Sequence, residues 1–151
     1  MQRGSSPIPG LWSVRTFQSV TPPIAVLIVD DDRAGAEALS AALALDGFRV
    51  AIVDGGYSAF RTPQALTPHI VILDIEMPVC DGFVVAAAMR GSGRFAMVPI
   101  IAYSSLHEAD VIERGKEVQI DAFCRKGSPL DCLLKLIEHM APVALRWPPP
   151  Y

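Results

Sequence analysis

The sequence predicts an α/β domain with a five-stranded parallel sheet, doubly wound by helices on both faces. Three observations carry that expectation. Short continuous apolar runs recur through residues 24–125, as expected of strands buried on both faces. Helix-compatible stretches separate them in strict alternation, and right-handed crossovers then force a parallel sheet. Of the 13 prolines, eight lie within residues 1–23 and 142–151, so the domain is expected to run from 24 to 141. Residues 1–23 then form a flexible N-terminal extension and 142–151 a Pro-rich tail, although Trp12 and Phe17 also suit an arm that docks on the domain or a partner.

Ile24–Val29 reads as the first strand. Asp31 or Asp32 caps a helix to about Asp46, with Leu39, Ala42 and Leu43 facing inward and Gly47 ending it. Phe48–Val53 is the second strand, followed by a short helix from about Tyr57 that Pro63 should kink or end. Ile70–Leu73 is the third strand and Phe83–Arg90 the next helix. Val98–Tyr103 is the fourth strand, followed by a helix from Ser105 to about Val118, and Ala122–Arg125 is the fifth strand. The last helix has Ser128 as N-cap and Pro129 at its first position, then a stripe of Leu130, Leu133, Leu134, Ile137 and Met140.

Composition excludes several classes. The longest apolar runs fall far short of the roughly 18–20 residues that span a bilayer, and no apolar segment resembling a secretory signal opens the chain. Three cysteines, Cys80, Cys124 and Cys132, fit neither a disulfide framework nor a zinc pattern, which points to a reducing cytoplasm. Cys124 and Cys132 read as small core residues. His69, His107 and His139 lack ligand spacing and read as surface or loop residues. With 13 basic and 16 acidic side chains the net charge is −3, and no basic patch favours direct nucleic-acid binding.

Ligands of such sheets gather beyond the carboxyl ends of the strands. There the chain carries Asp30-Asp31-Asp32, Asp74, Ser104 and Lys126. Clustered carboxylates repel unless a cation neutralises them, and hard oxygens suit Mg²⁺. A lysine and a hydroxyl beside them suit a transferring phosphoryl group. Asp32 alone reads as a helix cap, and Ser104 also fits a cap of the following helix.

Val-Asp-Asp at 29–31, Leu-Asp-Ile-Glu-Met-Pro at 73–78 with Asp81-Gly82 after it, Ser104 and Lys126 together resemble a response-regulator receiver domain, over about residues 24–140. The resemblance implies a flavodoxin-like (βα)5 fold. It implies that Asp74 accepts a phosphoryl group from a partner's phosphohistidine, on a sensor histidine kinase or a histidine phosphotransfer protein. Asp30 and Asp31 would hold Mg²⁺ with Asp74, Asp31 as the direct ligand, and Glu76 would offer its backbone carbonyl while its side chain is solvated at the cleft rim. Ser104 would bond the phosphoryl group, Phe123 would be the aromatic that swings inward with it, and Lys126 would pair with a phosphoryl oxygen.

Four positions depart from the family pattern. Gly127 follows Lys126 where proline is usual, so a trans bond and a shifted loop are expected. Phe123 replaces a commoner tyrosine, Pro63 interrupts the second helix, and His69 stands where an acidic residue is more usual. The expected role is a stand-alone cytoplasmic phosphoacceptor, self-catalysed only. It would act without membrane or nucleic acid, signalling to a downstream protein through the fourth helix, fifth strand and fifth helix; a homodimer is left open. Two alternatives are a Mg²⁺-dependent phosphohydrolase of the haloacid-dehalogenase type and a docking module that does not use phosphorylation. The first wants an Asp two residues after the nucleophile, where this chain has Glu76.

Overall fold

In a computed structural model, which describes residues 8–63 and 67–144, five strands and five helices alternate. They are β1 (Ala25–Val29), α1 (Arg33–Leu45), β2 (Arg49–Val53), α2 (Gly56–Phe60), β3 (Ile70–Asp74), α3 (Gly82–Arg90), β4 (Ile100–Ser104), α4 (Glu108–Glu117), β5 (Ala122–Arg125) and α5 (Leu130–Met140). All pairings are parallel and the strand order is β2-β1-β3-β4-β5.

Alternation along the strands builds two cores. Leu27, Val29, Val71, Leu73, Ile100 and Ala102 face α3 and α4, where Phe83, Val85, Ala86, Met89 and Val111 meet them. Val26, Ile28, Ile70, Ile72 and Ile101 face the other way, onto Ala36, Leu39 and Leu43 of α1 and Leu133, Leu136, Ile137 and Met140 of α5. The central strand β3 is buried at every position, as a strand covered on both faces must be.

Local signals place the helix ends with small shifts. Asp32 caps α1, its carboxylate accepting from Gly35 N, and Asp81 caps α3 by accepting from Val84 N. The helix α2 stops at Phe60, short of Pro63. Pro129, not Ser128, occupies the N-cap of α5, and no side chain caps it; Ser128 N is used in a turn to Arg125 O. α4 starts three residues later than expected, because Ser104 and the two residues after it form a turn in which Leu106 N donates to Ser104 Oγ. Cys132 is exposed rather than core, since it lies off the Leu133–Leu136–Ile137–Met140 stripe, whereas Cys124 is buried. Ala42 is only half-buried.

The described part of the N-terminal extension does not behave as a free leader. Leu11 forms an antiparallel bridge with Ala122 on the β5 edge, and Val20 a parallel bridge with Val143 of the C-terminal segment. Trp12 N and Ser13 N both donate to Asp121 O, at 2.8 and 2.9 Å. Phe17 packs edge-on against His139. Isolated apolar residues without a period each find a separate contact, an arrangement that periodicity does not reveal. Residues 1–7, and the tail from 145 with Trp147, lie outside the described residues.

Candidate functional site

Register brings the strand ends together. Val29 pairs with Leu73, so Asp30 and Asp74 leave neighbouring strands side by side. Ser104 pairs with Arg125, and Lys126 N donates to Ser104 O at 2.8 Å, which turns the lysine back over the sheet end. Asp30 and Asp74 are buried and Asp31 is exposed, yet one carboxylate oxygen from each lies within 4.8 Å of the others. Lys126 Nζ is 3.1 Å from Asp30 Oδ2 and 3.3 Å from Asp74 Oδ1. The ammonium thus bridges two buried carboxylates, and a plain surface role for Lys126 is ruled out.

Backbone donors complete the carboxylates' shells. Asp32 N donates to Asp30 Oδ1 at 2.9 Å, and Glu76 N to Asp74 Oδ1 at 3.1 Å. Burial, and then the charge of Asp30, push the Asp74 carboxyl up to about 6, against the opposing pull of Lys126. Burial on its own lowers Lys126, but its hydrogen bond to Asp30 and the charge of Asp74 outweigh that, so its pKa is raised. A site that lifts one carboxyl and strengthens one ammonium lacks positive charge. The chemistry of its donors, three hard carboxylates around one point, fits a small divalent cation of the Mg²⁺ type.

Ser104 is buried and faces this cleft from β4. Its hydroxyl donates to Glu76 Oε1 at 3.3 Å, and Ser105 Oγ donates to the same oxygen at 2.8 Å. Glu76 is exposed, as its rim position implies, but its side chain is engaged by these two serines. Phe123 is buried in the core layer beneath α3 and α4, its ring stacked on Trp12 with centroids 6.0 Å apart and planes 10° from parallel. The bond after Lys126 is trans, as expected: the one cis peptide among the described residues is Pro22–Pro23, and Gly127 takes φ +90°, open to glycine at little cost.

Two residues carry roles that the sequence did not signal. Asp121, just before β5, is buried and accepts from Arg15 Nε at 2.9 Å, Arg90 Nη2 at 2.9 Å and Ile100 N at 2.9 Å. A lone aspartate before a strand has no sequence signature, and its partners lie 21 to 106 residues away. His69 lies in the loop before β3, as expected, but is half-buried and bonded: its Nδ1 accepts from Ala25 N at 2.9 Å while its own N donates to Ala25 O at 2.8 Å.

Comparison with known proteins agrees with this fold. The profile of the family described as "Response regulator receiver domain" matches residues 26–138. The chain is 36% identical over 115 residues to the transcriptional regulatory protein PrrA of Mycobacterium bovis, covering 76% of this chain and 48% of that protein. It is 30% identical over 112 residues to the response regulator MprA of Mycolicibacterium vanbaalenii, covering 74% and 48%. The chain thus spans about half the length of the curated relatives it matches. Among solved structures, the chemotaxis protein CheY4 of Vibrio cholerae superposes with a TM-score of 0.72 at 26% identity, over 78% of this chain and 98% of that one. The receiver domain of the sensor histidine kinase PA1611 from Pseudomonas aeruginosa, solved with magnesium in its active-site cleft, gives a TM-score of 0.68 at 23% identity, over 76% and 94%. Among the described residues no helix is long and apolar enough to cross a membrane.

Proposed function

The chain belongs to the response regulator receiver domain family, and on that premise we propose that Asp74 is the residue it phosphorylates. One observation carries the reading: Asp30, Asp31 and Asp74 converge within 4.8 Å, with Lys126 bridging the two buried members. An Asp74 carboxylate oxygen attacks the phosphorus of a phosphohistidine on a histidine kinase or phosphotransfer partner. The new O–P bond makes an acyl phosphate as the N–P bond breaks, and the imidazole leaves with the bonding pair and takes up a proton. Only the ionised carboxylate is a nucleophile, and burial beside Asp30 favours the protonated form of Asp74 while no cation is bound.

Asp30, Asp31 and Asp74 would hold Mg²⁺, with the Glu76 carbonyl as a further oxygen. The cation, when bound, neutralises charge on the transferred group. Lys126 then turns its ammonium from Asp74 to a phosphoryl oxygen. Ser104 leaves Glu76 and donates its hydroxyl to another, and the aromatic ring of Phe123 follows it inward. The product adds about −1.5 to −2 charge at the sheet end, enough to reorder the neighbouring loops. Output passes by protein contact through the face of α4, β5 and α5.

The test is intact mass after incubation with acetyl phosphate and Mg²⁺. One phosphoryl adduct is expected on the wild type and none on Asp74→Asn. An adduct that persists in Asp74→Asn, or one absent from the wild type with both acetyl phosphate and a phosphorylated histidine kinase as donors, would overturn the assignment.

A further inference from the structure

Part of the face assigned to output is already covered by the chain itself. Residues 10–15 run along the open edge of β5 and bridge it at Leu11. Phe123 N donates to Gly10 O at 2.8 Å, Leu11 bridges Ala122, and Asp121 O accepts from Trp12 N and Ser13 N. The Trp12 indole fills the space between β5 and α4: it stacks on Phe123, and its Nε1 donates to Glu108 Oε2 at 2.7 Å. Arg15 closes the segment by pairing with Asp121.

Both partners are shaped for this contact. Gly10 has φ +86°, and a Cβ there would overlap the Phe123 carbonyl oxygen, so no other residue fits. Gly115 sits inside α4, where glycine is among the poorest helix formers. A Cβ at 115 would overlap the indole ring, so the glycine makes a notch that Trp12 occupies.

We propose that residues 10–15 are a built-in ligand of the α4–β5 groove, and that a protein docking on this face displaces them with a segment of the same chemistry. That chemistry is an extended strand pairing with the β5 edge, an aromatic side chain for the Gly115 notch, and an arginine three residues later for Asp121. The groove and its occupant stand on contacts independent of Asp74; only the naming of this face as the output face rests on the function proposed above. A tethered segment acts at an effective concentration of the order of millimolar. If the groove is open in about 1% of molecules, an incoming segment binds about a hundredfold more weakly than it would to a bare groove.

The test uses the full chain, a labelled peptide of residues 8–18, and no phosphoryl donor, so its outcome is independent of Asp74 labelling. The peptide is expected to bind Gly10→Val saturably and at least tenfold more tightly than wild type, and a peptide with Trp12→Ala is expected to lose that binding. Trp12→Ala combined with Arg15→Ala provides a second open-groove variant should Gly10→Val fail to fold. A further readout separates docking from general stability. Gly115→Ala is expected to lower the melting temperature of the wild type but raise it in the Trp12→Ala background, where the notch is empty. Equal peptide affinity for wild type and open-groove variants overturns the proposal. So does no binding to a variant whose circular dichroism matches wild type, or a Gly115→Ala effect of the same sign in both backgrounds.

Discussion

The Ser104 hydroxyl donates to the Glu76 carboxylate at 3.3 Å, so the residue assigned to receive a phosphoryl oxygen is held by an acidic side chain on the cleft rim. Glu76 also accepts from Ser105 and is exposed, which makes the restraint a weak one. A hydrogen bond of this kind contributes about 0.5–1.5 kcal/mol. Glu76→Ala is therefore expected to speed labelling by acetyl phosphate roughly two- to tenfold, through the freed hydroxyl and the lost repulsion of an anionic donor. Time courses of intact mass measure it, and an unchanged or slower rate would refute the restraint.

Lys126 bridges two carboxylates that are almost wholly buried, while its own side chain keeps 28% of its exposure. Lys126→Met leaves Asp30 and Asp74 facing each other without a cation. The metal-free variant is expected to lose about 2–4 kcal/mol, somewhat less than for a fully buried pair because the ammonium is partly solvated. Urea unfolding with and without Mg²⁺ checks this: the deficit should shrink when Mg²⁺ is present.

Asp31 differs from its two neighbours in being exposed. Its removal leaves no buried charge unpaired, so Asp31→Ala is expected to unfold within about 0.5 kcal/mol of wild type in the metal-free state. Mg²⁺ at a hundred times its dissociation constant stabilises a single-site protein by about 2.7 kcal/mol. Thermal unfolding across a Mg²⁺ titration should show that gain in wild type and its loss in Asp31→Ala. A full gain in the variant would remove Asp31 from the metal site.

His69 offers a pH dependence on the opposite end of the sheet. Burial, aided by the charge of Arg49, lowers its pKa, and Nδ1 must stay unprotonated to accept from Ala25 N. The unfolded chain therefore binds the proton first. Stability from this contact is complete above about pH 6.5 and is lost as pH falls toward the lowered folded value. His69→Asn keeps an acceptor near the Nδ1 position and does not titrate. Its stability should show a flatter slope than wild type as pH falls below about 6.5; parallel curves would contradict the assignment.

The parallel sheet and the cleft were legible because each rests on a local signal repeated along the chain. Apolar runs such as Ile70–Leu73 end in a polar residue, and parallel topology gathers those ends. What escaped reading depends on distance in sequence. Asp121 meets Arg15 and Arg90 across 106 and 31 residues, and nothing near it marks the contact. Trp12 was legible as one residue of an arm that docks, but not where it docks, since its partners Phe123, Glu108 and Gly115 belong to the far end of the chain. Glycine at 115 reads locally as a helix weakness, and only the indole against it gives it a reason.

The bridge between Leu11 and Ala122 also covers backbone groups that an edge strand otherwise leaves open. A sheet whose last strand shows unpaired N–H and C=O groups is a template for any passing chain. Here Phe123 N and Asp121 O are spoken for by residues 10, 12 and 13. The open side of β5 is therefore shielded against edge-to-edge self-association, and the safeguard is a segment outside the sheet. Without residues 10–13, Phe123 N and Asp121 O would stand uncovered on the edge of the sheet.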